Sequence, residues 1–169
     1  AHWQAMGLLT PGARIYVPGC GRGEEPLALA RAGLSVTAID LSATAIAWQR
    51  ARFADAGLSA HLEAGDAIAY RPDTPFDLYW EQTFLCAIPP RLREAYEAGA
   101  HAQIRPGGIL LALFMQKEEM GGPPYGCGLP AMRTLFPDTR WQWPDGEPAP
   151  FPHPGLSGKP ELAVPLIRR

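Results

Sequence analysis

The chain has 169 residues, 47% of them apolar, with 15 Lys and Arg against 17 Asp and Glu and a net charge of −2. That size suits one domain spanning 1–169 with a real core, and the near-neutral balance speaks against nucleic acid as the main partner, because phosphate contacts need clustered cations. No apolar run approaches the roughly 20 residues that span a bilayer and no signal-peptide pattern opens the chain; three dispersed cysteines (Cys20, Cys86, Cys127) suit a reducing compartment, so the expected location is cytoplasmic.

Strand and helix patterns then alternate, which predicts an α/β fold with helices on both faces of a sheet. Arg14–Val17 reads as a short apolar strand, and Glu24–Ala32 as a helix with its acids where the dipole favours them. Gly33 stops that helix and Ser35–Ile39 is the second strand. Ser42 is the expected N-cap of a helix over Ala43–Ala56, ended by Gly57. Ala60–Glu63 is a weaker third strand closed by Gly65-Asp66, and Phe76–Trp80 is the fourth. Arg91–Gln103 reads as a helix, Arg105-Pro106-Gly107-Gly108 as a turn, and Ile109–Met115 as a continuous apolar, buried strand. Beyond it, Gly121-Gly122-Pro123-Pro124 is a rigid irregular loop and Pro130–Phe136 a short helix. Trp141 and Trp143 alternate as on a half-exposed strand, and with Trp48 and Trp80 they read as core. Pro144 to Pro160 reads as a long surface loop, of a kind that often serves as a lid. Leu162–Ile167 closes the chain as a strand, with Pro165 pointing to an edge or a bulge.

Four loops converge if that sheet is parallel. Pro18, Gly19, Cys20 and Gly21 follow strand one, Asp40 and Leu41 follow strand two, Asp66 and Ala67 follow strand three, and Glu81 follows strand four. All lie at carboxyl ends, where open α/β sheets bind ligands. Glycines at 19, 21 and 23 let the backbone turn sharply and approach a ligand. Asp40 is placed to accept from both hydroxyls of a ribose, Asp66 from an adenine amino group, with the Ala67 N–H facing a ring nitrogen and Leu41 and Ile68 covering the ring. Each has a plainer reading as well: a tight turn for the glycines, a helix-capping acid for Asp40, a turn residue for Asp66. The spacing is G-x-G-x-G rather than G-x-G-x-x-G, and Glu24 stands where a pyrophosphate would meet a helix N-terminus, which is electrostatically poor. A nucleoside with a cationic centre fits better, and S-adenosylmethionine is one.

Three segments carry a resemblance. Val17 to Gly23 is similar to a V-P-G-C-G loop, Gln82 to Pro90 to a Y-T-F-F-C-A-I segment, and Gly121 to Tyr125 to a G-G-P-P-[YF] loop. Together they resemble the thiopurine S-methyltransferase superfamily of class I S-adenosylmethionine-dependent methyltransferases, and within it the plant-type halide and thiol methyltransferases. The resemblance implies a three-layer αβα Rossmann-like sandwich with a mostly parallel seven-stranded sheet whose last strand is antiparallel. It also implies S-adenosylmethionine as cofactor and S-adenosylhomocysteine as product. The implied partner is a small soft nucleophile (a thiol, thiopurine, thiocyanate or halide), and the protein is expected to be a monomer or weak dimer. Gln82 and Lys117 depart from the family pattern, and family members carry an N-terminal cap that is expected here to be either missing or unobserved, since only Ala1 to Pro11 stand ahead of strand one.

Methyl transfer from a sulfonium is an in-line displacement, so positioning and exclusion of water are the main demands. A nucleophile arriving as an anion needs no strong base. Tyr125 on the donor side and Phe84 lining the pocket are the candidate catalytic residues, with loop packing the plainer reading of Tyr125. Glu81 is assigned to the donor's amino group, and Arg133 and Arg140 to the surface. No C-x-x-C pair is present and His2, His61, His101 and His153 are scattered, so no metal is expected. The alternatives are a methyltransferase for an oxygen or nitrogen acceptor, a non-catalytic cofactor-binding module, and a nicotinamide-dependent oxidoreductase.

Overall fold

The computed structural model describes residues 2–153 and 158–169. Parallel strands β1 (Arg14–Pro18), β2 (Ser35–Asp40), β3 (His61–Ala64), β4 (Phe76–Gln82) and β5 (Ile104–Met115) are joined through helices except between β3 and β4, and three further strands follow: β6 (Trp141–Gln142), β7 (Ala149–Pro152) and β8 (Pro160–Arg168). The sheet runs β3-β2-β1-β4-β5-β8-β6, a seven-strand path with β7 pairing off it against β8. β8 is antiparallel to β5, with Glu161 opposite Met115. Its first residues therefore stand at the same edge as the carboxyl ends of the parallel strands. The strand order reverses between β1 and β4, which makes that edge a topological switch point.

Alternation along the strands feeds two cores, one on each face. Ile15 and Val17 of β1 point into one with Leu27 and Leu29 of α2 (Glu25–Arg31) and Ile46 and Phe53 of α3 (Ala43–Asp55); Trp3 of a short α1 (His2–Ala5) joins them. Tyr16 points the other way, into a core with Tyr96 and Ala100 of α4 (Arg93–Gln103) and Met132 of α5 (Leu129–Leu135). These are the three expected layers. Ser42 caps α3 as predicted, its Oγ accepting from the Ala45 N–H at 3.2 Å.

The structure corrects four readings of the elements. Arg105 to Gly108 is not a turn ahead of a strand but an interruption inside β5: Phe76 pairs with Ile104 and Leu78 with Ile109, so the register slips there. The stretch from Pro144 to Pro160 is not all loop, since Ala149–Pro152 pairs with β8; residues 154–157 of it lie outside the described ones. Pro165 sits inside the sheet opposite Leu111, at an interval where the outer side of β8 lies between its partners β7 and β6. A residue without an N–H is accommodated there, since no outer strand asks for a ladder bond. Trp48 is only half-buried, with the Arg52 guanidinium 5.0 Å over its ring, whereas Trp141 and Trp143 are core as expected.

Candidate functional site

The glycine loop leaves β1 at the switch point and is fixed from three sides. Gly19 and Gly21 adopt φ of +57° and +49°, conformations that side chains disfavour. The Gly19 N–H donates to Ile39 O at the end of β2 (2.7 Å). Asp40 Oδ2 accepts from the Gly21 N–H (2.8 Å) while Oδ1 accepts from the Ser42 N–H (2.8 Å). Each carboxylate oxygen keeps further acceptor capacity. The third support comes from Gln49, fully buried on α3, whose Nε2 donates to Gly21 O (3.1 Å) and Gly23 O (2.9 Å). Glu24, beside the helix start, ion-pairs with Arg52.

The loop borders a cleft of about 260 Å³ lined by residues 17–23 together with Glu25, Trp80, Gln82 and Thr83. On its flank, Asp66 Oδ1 accepts from the Ile68 and Ala69 N–H groups (2.9 and 3.3 Å), and Ala67 is buried with its carbonyl accepting from the Tyr16 hydroxyl (2.8 Å). Leu41 is 80% exposed at the rim. Burial pushes the Cys20 thiol up to about 12, so it stays protonated.

Glu81 is buried under the turn that follows β4. Its Oε1 accepts from the Phe84 and Leu85 N–H groups (3.1 and 2.9 Å) and its Oε2 from the Tyr96 hydroxyl (2.5 Å). Burial lifts its carboxyl to about 7. With its oxygens spent on that turn, Glu81 shapes the wall of the cleft instead of reaching into it. Thr83 in the same turn has φ +62°, a conformation that a β-branched residue adopts only where its surroundings impose it. A Cβ on Gly19 would overlap the Phe84 ring, so the glycine turn and this loop touch through the missing side chain.

The Gly121–Tyr125 loop docks on the same turn. The Tyr125 N–H donates to Cys86 O (2.7 Å), and Lys117 Nζ donates to Gly121 O (2.9 Å) and Pro124 O (2.8 Å). Arg93 ties both loops together, its guanidinium donating to Leu85 O (3.2 Å) and Gly126 O (3.0 Å). Between them lies an apolar hollow of about 290 Å³, lined by Thr83, Cys86, Ala87, Met115, Pro123, Pro124 and His153. Thr83 borders both spaces. Arg133 stacks over Trp143 (4.4 Å) and Arg140 pairs with Glu97 (2.9 Å), so both are engaged on the face of α4 and α5. Among the described residues, no group of three or more His, Cys, Asp or Glu stands together as metal ligands, and no helix is long and apolar enough to cross a membrane.

Comparison with known proteins assigns this arrangement to a family. The profile described as Thiopurine S-methyltransferase (TPMT) matches residues 1–143. The chain belongs to the thiopurine S-methyltransferase family. A relative from Arabidopsis thaliana, named probable thiol methyltransferase 2, is 34% identical over 128 residues, which are 74% of this chain and 56% of that protein. Thiocyanate methyltransferase 1 of the same plant is 28% identical over 155 residues, 90% of this chain and 68% of the relative. The chain thus spans between half and about two thirds of these two proteins. Among solved structures, a SAM-dependent methyltransferase from Methanosarcina mazei superposes with a TM-score of 0.80 at 20% identity, covering 98% of this chain and 95% of that one. That likeness establishes the αβα fold.

Gln49, Arg93, Tyr96 and His153 were not singled out for the site by the sequence reading. Only Gln49 carried a usable signal: it is the one polar residue in the buried register Ala45, Ile46, Gln49, Phe53.

Proposed function

We propose that the chain transfers the methyl group of S-adenosylmethionine to a small soft sulfur nucleophile, releasing S-adenosylhomocysteine. The observation that carries this reading is the glycine turn held against Asp40 at the switch point, with an apolar second hollow one residue, Thr83, away from its cleft. In this reading the backbone of Pro18, Gly19, Cys20 and Gly21 borders the amino-acid half of the donor. Asp40 accepts from the ribose hydroxyls, and Leu41, Asp66 and Ala67 surround the adenine. Glu81 serves the donor indirectly, through the turn it holds. The acceptor occupies the apolar hollow beside Phe84 and Tyr125, where a mostly apolar wall desolvates a soft nucleophile and aims it at the methyl carbon. The acceptor class follows the relatives, named for thiol, thiocyanate and thiopurine methylation.

Incubation with methyl-labelled donor and a panel of alkyl thiols, a thiopurine, thiocyanate and iodide tests it. Labelled thioether, methyl thiocyanate or methyl iodide is the expected product. Donor binding by calorimetry with no product from any acceptor would overturn the reading in favour of a binding module or an oxygen or nitrogen acceptor, and binding of NADH in place of the donor would remove the methyltransferase reading.

A further inference from the structure

Among the described residues that line the apolar hollow, His153 alone carries a basic side chain. The hydroxyl of Thr83 is not basic, and burial pushes the Cys86 thiol up to about 12. His153 stands just past β7, and its N–H donates to Lys159 O (2.9 Å), which closes the hairpin onto β8. Behind that wall lies Glu161, opposite Met115 on one side and Phe151 on the other. It is 2% exposed, its Oε2 accepts from Gln82 Nε2 (3.2 Å), and its Oε1 is buried without a hydrogen-bond partner. A carboxyl held this way is stable either protonated or beside a cation. Burial, the largest influence, raises its carboxyl, and the nearby His153 and the Gln82 amide offset only part of that.

We propose that His153, backed by Glu161, takes the proton of a neutral thiol as its sulfur attacks the donor methyl. This inference rests on the methyltransferase reading above and names the acceptor's protonation state. The S–H bond breaks and its proton goes to the imidazole. The sulfur lone pair forms the new S–CH3 bond, and the electron pair of the broken CH3–S⁺ bond returns to the donor sulfur, giving neutral S-adenosylhomocysteine. The imidazolium then loses its proton to solvent. Free thiols ionise near ~8.5 and are mostly protonated at neutral pH, so an apolar hollow without a base would hold most of the substrate in its weakly nucleophilic protonated form. The groups that share Glu161's surroundings are Glu25 from α2, Glu81 at the end of β4 and Cys86 from the loop after it, while Lys159 is paired with Glu119.

The test compares His153→Gln and Glu161→Gln with the unaltered protein on two acceptors, an alkyl thiol and iodide, with donor affinity by calorimetry as the check on folding. General-base catalysis is worth roughly 10²–10⁴-fold. The expected result is that kcat/KM for the thiol falls at least tenfold further than kcat/KM for iodide in His153→Gln. In that variant the thiol rate should climb with pH up to the thiol's own ionisation, whereas the unaltered enzyme reaches its plateau earlier. Glu161→Gln should show the same selectivity to a smaller degree. Parallel losses on both acceptors, or no loss on the thiol, would overturn the proposal while leaving the methyltransferase reading intact. An unaltered protein that binds donor but methylates neither acceptor would bring down both.

Discussion

Asp40 and Gln49 hold the glycine loop from opposite sides, and they differ in what a ligand takes from them. Asp40 spends one lone pair of each oxygen on Gly21 and Ser42 and, in the proposed function, gives the rest to a ribose. Asp40→Ala is therefore expected to weaken S-adenosylmethionine binding by about 1–3 kcal/mol, the range for hydrogen bonds to a charged group, as read by calorimetry. Gln49 offers a ligand nothing. Its amide satisfies the carbonyls of Gly21 and Gly23, and Gln49→Leu, of similar size, leaves both without that partner. The expected cost in urea unfolding is roughly 1–3 kcal/mol, with weaker donor binding as the loop relaxes; an unaltered urea midpoint would count against this role.

At the level of elements, the turn after β4 depends on a buried acid. Glu81 accepts from two backbone N–H groups and from Tyr96, and burial, the largest influence, lifts its carboxyl from the ordinary glutamate range to about 7. A carboxyl raised in the folded state binds its proton more tightly there than in the unfolded chain. Its contribution to stability is thus complete below the unfolded value near ~4.3 and is lost as pH rises through about 7. The unfolding free energy of the unaltered protein, less that of Glu81→Gln, should fall between pH 5 and 8, which urea titrations across that window would show. The opposite slope would mean that the three hydrogen bonds outweigh burial and hold the carboxylate ionised.

Over the whole molecule, the parallel half was legible because its signals are local. Ser42 before Ala43, glycines after each early helix, and apolar runs of strand length suffice to order β1 to β5. The later part was less so. β7 contains Pro150 and Pro152 in four residues, and only its pairing with β8 makes it a strand, a tertiary effect no window of sequence reports. The register slip in β5 likewise depends on what Phe76 and Leu78 find opposite them. At the proposed site, the glycine turn and its contact with Asp40 were legible through glycine and acid spacing, while Arg93 and His153 were not, since each meets a loop distant in sequence. A ligand that binds only the folded chain stabilises all of it at once. S-adenosylhomocysteine at 100 times its dissociation constant should add about 2.7 kcal/mol to unfolding; NADH at the same concentration should add nothing measurable.

The ring of Phe84 rests where residue 19 has no side chain. A substrate pressing on that ring pushes the backbone that encloses the donor, and a bound donor stiffens the seat of the ring. Occupancy on one side is thereby felt on the other, and thermodynamic reciprocity makes the effect equal in both directions. Donor and acceptor should therefore change each other's affinity by the same factor, and an acceptor loop grafted from a relative will work only when its aromatic residue fits the same dent.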